Sequence, residues 1–231
     1  MKYLLLSILL PMILIAGETQ KTNQIPYNTK GNVIALTIEN SADITAKNVT
    51  VEIDNPPKWM RFDTTSILLS DILSKKSKDA EFVFSVERGS PVGTEQKLSF
   101  KITTSDKVNI AGRNSISTYN GNRGIQTWRK EISVTVDAPK EFHLYDNYPN
   151  PFNPSTTIAF ELPKQSRVKV IIYDILGRMV KQLADETKQA GYVEYVWDGR
   201  NDHGSTVSSG LYFCRVSTEN WHGVKKLVMA K

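Results

Sequence analysis

The chain has 231 residues, of which 40% are hydrophobic and 23% are charged, so its composition favours folded domains over disorder. A single cysteine, Cys214, excludes a disulfide-stapled scaffold and a thiolate zinc site, and three histidines nearly exclude a multi-histidine metal centre. The net charge of +5 is spread along the chain rather than gathered into a basic stripe, so a nucleic-acid partner is not supported. Composition points away from an enzyme, and no metal or other cofactor is expected.

The N-terminus has the pattern of an export signal. A positive residue, Lys2, precedes an apolar run from Tyr3 to Ile15 and two small residues, and polar residues begin at Glu18. A run of this length is shorter than the roughly 20 residues of a membrane-spanning helix and suits a signal peptide. We therefore expect residues 1–17 to be removed and the remaining chain to be exported through the inner membrane, to the outer cell surface or the medium.

From about residue 31 the sequence alternates polar and apolar residues with period two, which is typical of β-strands. The alternation is clearest in the segment 48–54, where every second residue is Val or Ile. A polar stretch, 105–127, interrupts the pattern and is interpreted as a long hairpin loop. The spacing predicts an antiparallel Ig-like β-sandwich over residues 25–138. Its predicted strands are 33–39, 48–54, 81–86, 97–102 and 131–136, with a short apolar run at 59–62.

Four short segments of this first unit match a family pattern: a strand that ends in Asn, a second strand after an A-x-x-V turn, and a proline-tryptophan step. They resemble the CARDB-like and alpha-galactosidase-associated Ig-like modules of secreted bacterial proteins. The resemblance implies a sandwich fold and names no ligand, and the polar stretch 105–127 departs from the pattern. The matching segments are Leu36–Asn40, Ala46–Val51, Pro57–Trp59 and Glu81–Val86.

A second sandwich is predicted over residues 148–231, after a linker at 139–147. Each of its predicted strands is bounded by Pro, Gly, Asn or Asp, the residues that favour turns. The predicted fold class is therefore all-β, with two tandem antiparallel Ig-like β-sandwiches after the signal peptide. The predicted strands of the second unit are 157–162, 167–173, 179–184, 193–197, 211–217 and 223–229.

Four motifs mark the second unit. Residues 148–156 read YPNPFNPST, residues 173–178 contain Y-D-x-x-G-R, residues 210–212 contain G-x-Y, and the chain ends in KKLVMAK. In this order, over about 90 residues, they resemble the type A C-terminal sorting domain of the bacterial type IX secretion system. The segment 197–210 is also similar to the Ig-like part of the flagellar hook-capping protein, a likeness that concerns the fold.

The sorting-domain resemblance implies a function in export. Such domains direct a protein from the periplasm across the outer membrane through the type IX machinery. They are then usually removed, often with attachment of the cargo to surface lipopolysaccharide. The residues that carry the motifs are Pro149, Asn150, Pro151, Phe152, Tyr173, Asp174, Gly177, Arg178, Gly210, Tyr212, Lys225, Lys226, Leu227, Val228 and Lys231.

The motif residues also have local explanations. The prolines are expected to hold the start of the domain extended. Gly177 is expected to take a positive φ in a turn, and Tyr212 to point inward. Lys225 and Lys226 could serve export recognition or merely protect an edge strand from aggregation.

Other candidates for chemistry have simpler interpretations. Asp198, Asn201 and Asp202 could suggest a calcium loop, but no closing glutamate follows at suitable spacing, so a turn is favoured. Cys214 alternates with strand residues and is expected to be a buried hydrophobe. No catalytic motif is present in the sequence, so the protein is not expected to be an enzyme.

Three residues near the polar stretch are candidates for contact with a partner: Tyr119, Arg123 and Trp128. Trp59 is expected to be a core residue instead. The leading hypothesis is that the first unit is a surface adhesion or binding module with a glycan or protein ligand. There are two alternatives. The first unit could be a carbohydrate-binding accessory module, or it could be a structural spacer or assembly subunit of the cell envelope.

Overall fold

The computed structural model describes the backbone of residues 3–8 and the residues 22–105 and 126–230. Tyr119, Arg123 and Lys231, which the sequence analysis singled out, lie outside these described residues. Within the described ranges every regular element is a β-strand, which confirms the predicted all-β fold class. None of that region is a helix long and apolar enough to cross a membrane.

The chain divides into two compact units. The first comprises Met1–Glu87 and Gly93–Asp137, and the second comprises Arg88–Val92 and Ala138–Lys231. The strands of the first unit are β1 (Tyr3–Ile8), β2 (Asn23–Ile25), β3 (Asn32–Glu39), β4 (Ala46–Asp54), β5 (Met60–Phe62), β6 (Ser66–Ile72), β7 (Ser77–Val86), β8 (Glu95–Thr104) and β9 (Gln126–Val136).

The described strands of the first unit form two sheets, with strand orders β1-β3-β7-β5 and β2-β9-β8-β4-β6. Alternate residues of each sheet face a shared core, as period-two patterning requires. Phe82 on β7 and Phe100 on β8 meet across that core with their ring centroids 5.6 Å apart. Strands β8 and β9 pair antiparallel from Glu95 opposite Thr135 to Thr104 opposite Gln126, so the polar stretch connects the two strands of a hairpin.

The residues of strand β1 are placed differently from what the sequence predicts. The sequence predicts that they are removed with a signal peptide, whereas their backbone pairs in parallel with β3, from Tyr3 opposite Val33 to Ile8 opposite Ile38. Both roles suit an apolar segment, because such a segment can also satisfy the backbone groups at the edge of a sheet. Cleavage after residue 17 would leave β3 at the edge of its sheet.

Seven strands form the second unit, in two antiparallel sheets with orders β10-β11-β14 and β13-β12-β15-β16. All six predicted strands are present. The strands are β10 (His143–Leu144), β11 (Thr156–Leu162), β12 (Ser166–Asp174), β13 (Met179–Lys188), β14 (Gly191–Trp197), β15 (Gly210–Ser217) and β16 (His222–Met229).

The predicted linker 139–147 is partly folded. Strand β10 lies inside it and pairs with β11, with His143 opposite Glu161 and Leu144 opposite Phe160. Leu144 is buried in the core of the second unit, which gives this short strand its anchor. The second sandwich therefore begins before residue 148, and the irregular part of the linker ends near residue 142.

Candidate functional site

The opening motif of the second unit lies against the last strand of the chain. The side chain of Asn150 donates to the carbonyl of Lys226 at 3.2 Å and accepts from the backbone N–H of Val228 at 3.0 Å. Phe152 continues the contact: its N–H donates to the carbonyl of Val228 at 2.9 Å, and its carbonyl accepts from the N–H of Ala230 at 3.0 Å. Three hydrogen bonds thus attach the opening motif to β16, and a fourth attaches it to Ala230, directly after that strand, although the partners of Asn150 lie 76 and 78 residues away in sequence.

The prolines of this motif do not hold it in an extended strand. The segment bends between two isolated bridges, at Tyr148 and at Phe152. Two residues that flank the bend hold it in place: Asn147, which belongs to none of the predicted motifs, donates to the hydroxyl of Thr156 at 2.8 Å, and that hydroxyl donates to the carbonyl of Pro149, also at 2.8 Å. Buried side-chain hydrogen bonds of this kind fix a turn that has no regular ladder.

Phe152 anchors the opening motif in the core. It is only 1% exposed and packs against the fully buried Trp197 at 5.4 Å between ring centroids. Trp197 in turn meets the ring of Tyr212 at 5.2 Å, and its indole N–H donates to the carbonyl of Arg200 at 2.9 Å. Phe152, Trp197 and Tyr212 come from three different segments of the sequence and form one aromatic cluster. The cluster is stabilised by the apolar area that its rings bury and by the geometry of the ring pairs.

Gly199 allows the turn after β14 to approach this cluster closely. Its φ is +69°, and a Cβ atom built there would lie 2.8 Å from both the terminal methyl carbon of Met229 and the backbone carbonyl of Pro154. Any other residue would clash with the opening motif and with β16 at once. Glycine is therefore required here for space as well as for backbone conformation.

The Y-D-x-x-G-R motif forms a braced hairpin turn between β12 and β13. Asp174 accepts from the N–H groups of Leu176 and Arg178, each at 2.9 Å, and from the Arg178 guanidinium at 2.7 Å. The backbone hydrogen bond from Arg178 is the main reason that the pKa of the Asp174 carboxyl lies below its ordinary value. Gly177 has the positive φ that was predicted, +75°. Asp174 and Arg178 thus bind each other rather than a ligand.

The G-x-Y motif ties its loop to the core. Tyr212 is 8% exposed, which confirms that it points inward, and its hydroxyl donates to the carbonyl of Ser208 at 2.7 Å. This link resembles the tyrosine corner of Ig-like sandwiches, in which a tyrosine bonds to the backbone a few residues upstream. Burial raises the pKa of Tyr212, so the phenol stays protonated and remains a donor.

The two lysines of the terminal motif have different environments. The ammonium of Lys225 donates to Asp146 at 2.8 Å, and this hydrogen bond lowers the pKa of the Asp146 carboxyl. Lys226 is exposed on the neighbouring position of β16, while Leu227 is fully buried. One lysine is therefore used within the fold, whereas the next presents its charge outward.

Most of the predicted sorting residues described here are thus structural. The side chains of Phe152, Tyr212 and Leu227 are buried, and those of Asn150 and Asp174 are hydrogen-bonded to backbone groups. Three of the predicted sorting residues lie on the outward side of sheet β13-β12-β15-β16: Tyr173, Lys226 and Val228. Beside them lie neighbours that are not among the predicted sorting residues. Those neighbours are the apolar side chains Met179, Leu211, Phe213 and Val224.

Two further candidates in this unit have the environments that the sequence favoured. Cys214 is fully buried, and burial raises the pKa of its thiol to about 12, so it behaves as a small hydrophobe. The side-chain oxygens of Asp198 and Asn201 accept backbone N–H bonds within the turn 198–205, at 3.0 to 3.1 Å. These are Asx-type turns, and the described residues contain no cluster of three or more acidic, His or Cys side chains placed to hold a metal.

In the first unit, the interpretation of Trp128 as a partner contact is wrong. Trp128 is 5% exposed and belongs to the core, because strand alternation on β9 turns it inward. With Ile38 and Val49 it lines a cavity of about 20 Å³, which is room for about one water molecule. Trp59 packs against the same core as predicted.

The family model of the FlgD Ig-like domain matches residues 148–221, which confirms the likeness to the hook-capping protein over about a third of the chain. No curated protein matches the chain.

Several solved structures have a weak likeness to the chain. The latent dimeric PorU of Porphyromonas gingivalis has a TM-score of 0.32 and 16% identity, over 93% of this chain and 19% of the PorU chain, so this chain spans about a fifth of its length. The CupB2 chaperone of Pseudomonas aeruginosa has a TM-score of 0.29 and 9% identity, over 91% and 99% of the two chains. The DraB chaperone of E. coli has a TM-score of 0.28 and 13% identity, over 91% and 93%. TM-scores this low do not establish a shared fold or function.

Proposed function

We propose that the second unit is a C-terminal sorting domain of the type IX secretion system, and that it carries the first unit to the outer cell surface or the medium. The observation that supports this best is the attachment of the opening motif to β16 through Asn150 and Phe152. A signature whose first and last motifs touch describes one folded element rather than four separate coincidences. The remaining motifs, at Asp174 and Tyr212, brace the same sandwich.

The first unit is then the cargo. We propose that it is a non-enzymatic adhesion or binding module with a glycan or protein ligand, displayed after a signal peptide has led the chain through the inner membrane. Attachment to surface lipopolysaccharide would follow removal of the sorting domain. The exposed Lys140 and Glu141 lie in the irregular segment before β10, so cleavage is expected there. It is not expected within residues 143–147, where β10 pairs with β11 and Tyr145 and Asn147 are hydrogen-bonded.

Cell fractionation with intact-mass analysis tests this proposal, in a host with and without the type IX machinery. We expect the cargo outside the cell only when the machinery is present, with a new C-terminus near residue 140. Deletion of Gly223–Lys231 removes all of β16 except His222 and should retain the protein in the periplasm. A full-length chain that stays periplasmic in both hosts, or one that reaches the surface in both, contradicts the proposal.

A further inference from the structure

The outward side of sheet β13-β12-β15-β16 carries an unusual set of side chains for a surface. We call it the open face and define it by Tyr173, Met179, Leu211, Phe213, Val224 and Val228. Their neighbours in sequence, such as Ile172, Tyr212 and Leu227, are buried in the core. Because side chains alternate along a strand, the open face is the opposite side of the same sheet.

The strand register places these side chains next to one another. One row runs Met179, Tyr173, Phe213 and Lys226 across all four strands. Leu211 lies opposite Val228 in the row beside it. Since facing side chains on adjacent strands contact one another, the face is one continuous surface.

This surface is exposed as well as apolar. Leu211 is 44% exposed, Val224 53% and Met179 58%. The braced turn at its end adds Ile175 and Leu176, at 68% and 71%. Five of the seven exposed large hydrophobic side chains described in the second unit therefore lie on the open face or at its tip, and contiguous apolar exposure of this kind marks an interaction site.

The charge of the open face indicates what the partner carries. Arg215 and Lys226 are exposed on it, and among the described residues no carboxylate lies within ion-pair distance of either. Two carboxylates at its borders are already paired: Asp185 pairs with Arg167 at 2.9 Å, and Asp174 pairs with Arg178 at 2.7 Å. Among its described residues the face thus presents two cations, Arg215 and Lys226, that have no ion-pair partner.

We propose that the open face is the surface by which a protein of the secretion machinery recognises the folded sorting domain, through an apolar patch bordered by carboxylates. This inference rests on the proposed function and specifies where recognition occurs. Tyr, Phe, Met and Arg are the residues enriched in protein interfaces. Two free cations are fewer than the four to eight basic residues of typical anionic-lipid sites, so a protein partner is favoured over a membrane surface.

The test uses the full chain in a type IX host and compares variants on the two sheets of the second unit. Phe213→Thr removes an aromatic anchor and Lys226→Glu reverses a charge. Each is expected to lower the extracellular amount at least about tenfold, the effect of losing one interface hot spot. Val196→Thr alters a side chain that is 61% exposed on the other sheet, outside the open face, so this variant should be exported like the unaltered chain.

Two controls separate the explanations. Protection of Cys214 from a thiol reagent must be unchanged in each purified variant, which excludes unfolding as the cause. Vesicles of phosphatidylcholine and phosphatidylglycerol should not bind the purified chain; binding that Lys226→Glu abolishes would overturn the protein partner in favour of a membrane. Normal export of Phe213→Thr and Lys226→Glu refutes this inference alone, whereas export of the unaltered chain without the machinery refutes the proposed function as well.

Discussion

Replacing Asn150 with alanine tests whether the opening motif holds the last strand in place. The change removes the hydrogen bond to the carbonyl of Lys226 and the one from the N–H of Val228, but leaves the buried ring of Phe152 untouched. The fold should persist, with β16 less firmly attached.

The expected loss of stability follows from these two bonds. A typical intramolecular hydrogen bond contributes about 0.5–1.5 kcal/mol. Lys226 is exposed and Val228 is partly exposed, so water can replace part of each bond and the lower half of that range applies. The two together give about 1–2 kcal/mol, which corresponds to a 5- to 30-fold larger population of the opened second unit.

Cys214 provides the assay. It is the single cysteine of the chain and is fully buried in the second unit. Burial raises the pKa of its thiol to about 12, so the folded state is unreactive at pH 8 and a thiol reagent modifies only opened molecules. The modification rate of Asn150→Ala should therefore rise about 5- to 30-fold over that of the unaltered chain.

Two further variants make this result specific. Asn150→Asp keeps the acceptor for Val228 but loses the donor to Lys226, so its rate should lie between those of the unaltered chain and the alanine variant. Asn153→Ala changes an exposed asparagine of the same motif and should leave the rate unchanged. Equal rates for Asn150→Ala and Asn153→Ala would refute the role assigned to Asn150.

The remaining predictions concern the core of the second unit. Gly199→Ala should destabilise the second unit by at least about 3 kcal/mol, because the new Cβ would clash with the Pro154 carbonyl. Gly204→Ala should lose only about 1 kcal/mol for backbone strain, since Gly204 has a φ of +78° but nothing within 4 Å of a Cβ built there. Equal urea midpoints for the two variants would contradict the clash. Burial raises the pKa of Cys214 from 9.0 to about 12, so between these values the unfolded chain releases a proton that the folded one keeps, and stability falls as pH rises. Relative to Cys214→Ala, the unaltered chain should lose up to about 1.4 kcal/mol more per pH unit there, and parallel urea-stability curves would disprove this.

The sequence predicted the strands wherever one face of the sheet is buried. From Val49 to Ile53 in β4 and from Val168 to Ile172 in β12 every second residue is buried, and the alternation is visible in the sequence. Strand β6 does not alternate in this way: Leu68 is 64% exposed and the pairing with β4 shifts register. Strand β10 has two residues, too few for any periodicity to identify.

The site was only partly predictable because its contacts are distant in sequence. The motifs could be identified, but not the bonds from Asn150 to β16, which depend on how the sandwich brings the two ends of the second unit together. For Trp128 the sequence suggested the wrong environment. An aromatic residue beside a polar stretch has the composition of a recognition surface, and only the register of β9 with β8 turns it into the core.

The division of the motif residues into buried and outward ones decides what an export experiment can measure. A substitution at Phe152 or Tyr212 disturbs the aromatic cluster, so it would block export by unfolding the domain whether or not the machinery touches that residue. Tyr173 and Lys226 point away from the core, and altering them leaves the cluster intact. Loss of export with Cys214 still protected therefore indicates recognition, and loss of both indicates only that the second unit must be folded.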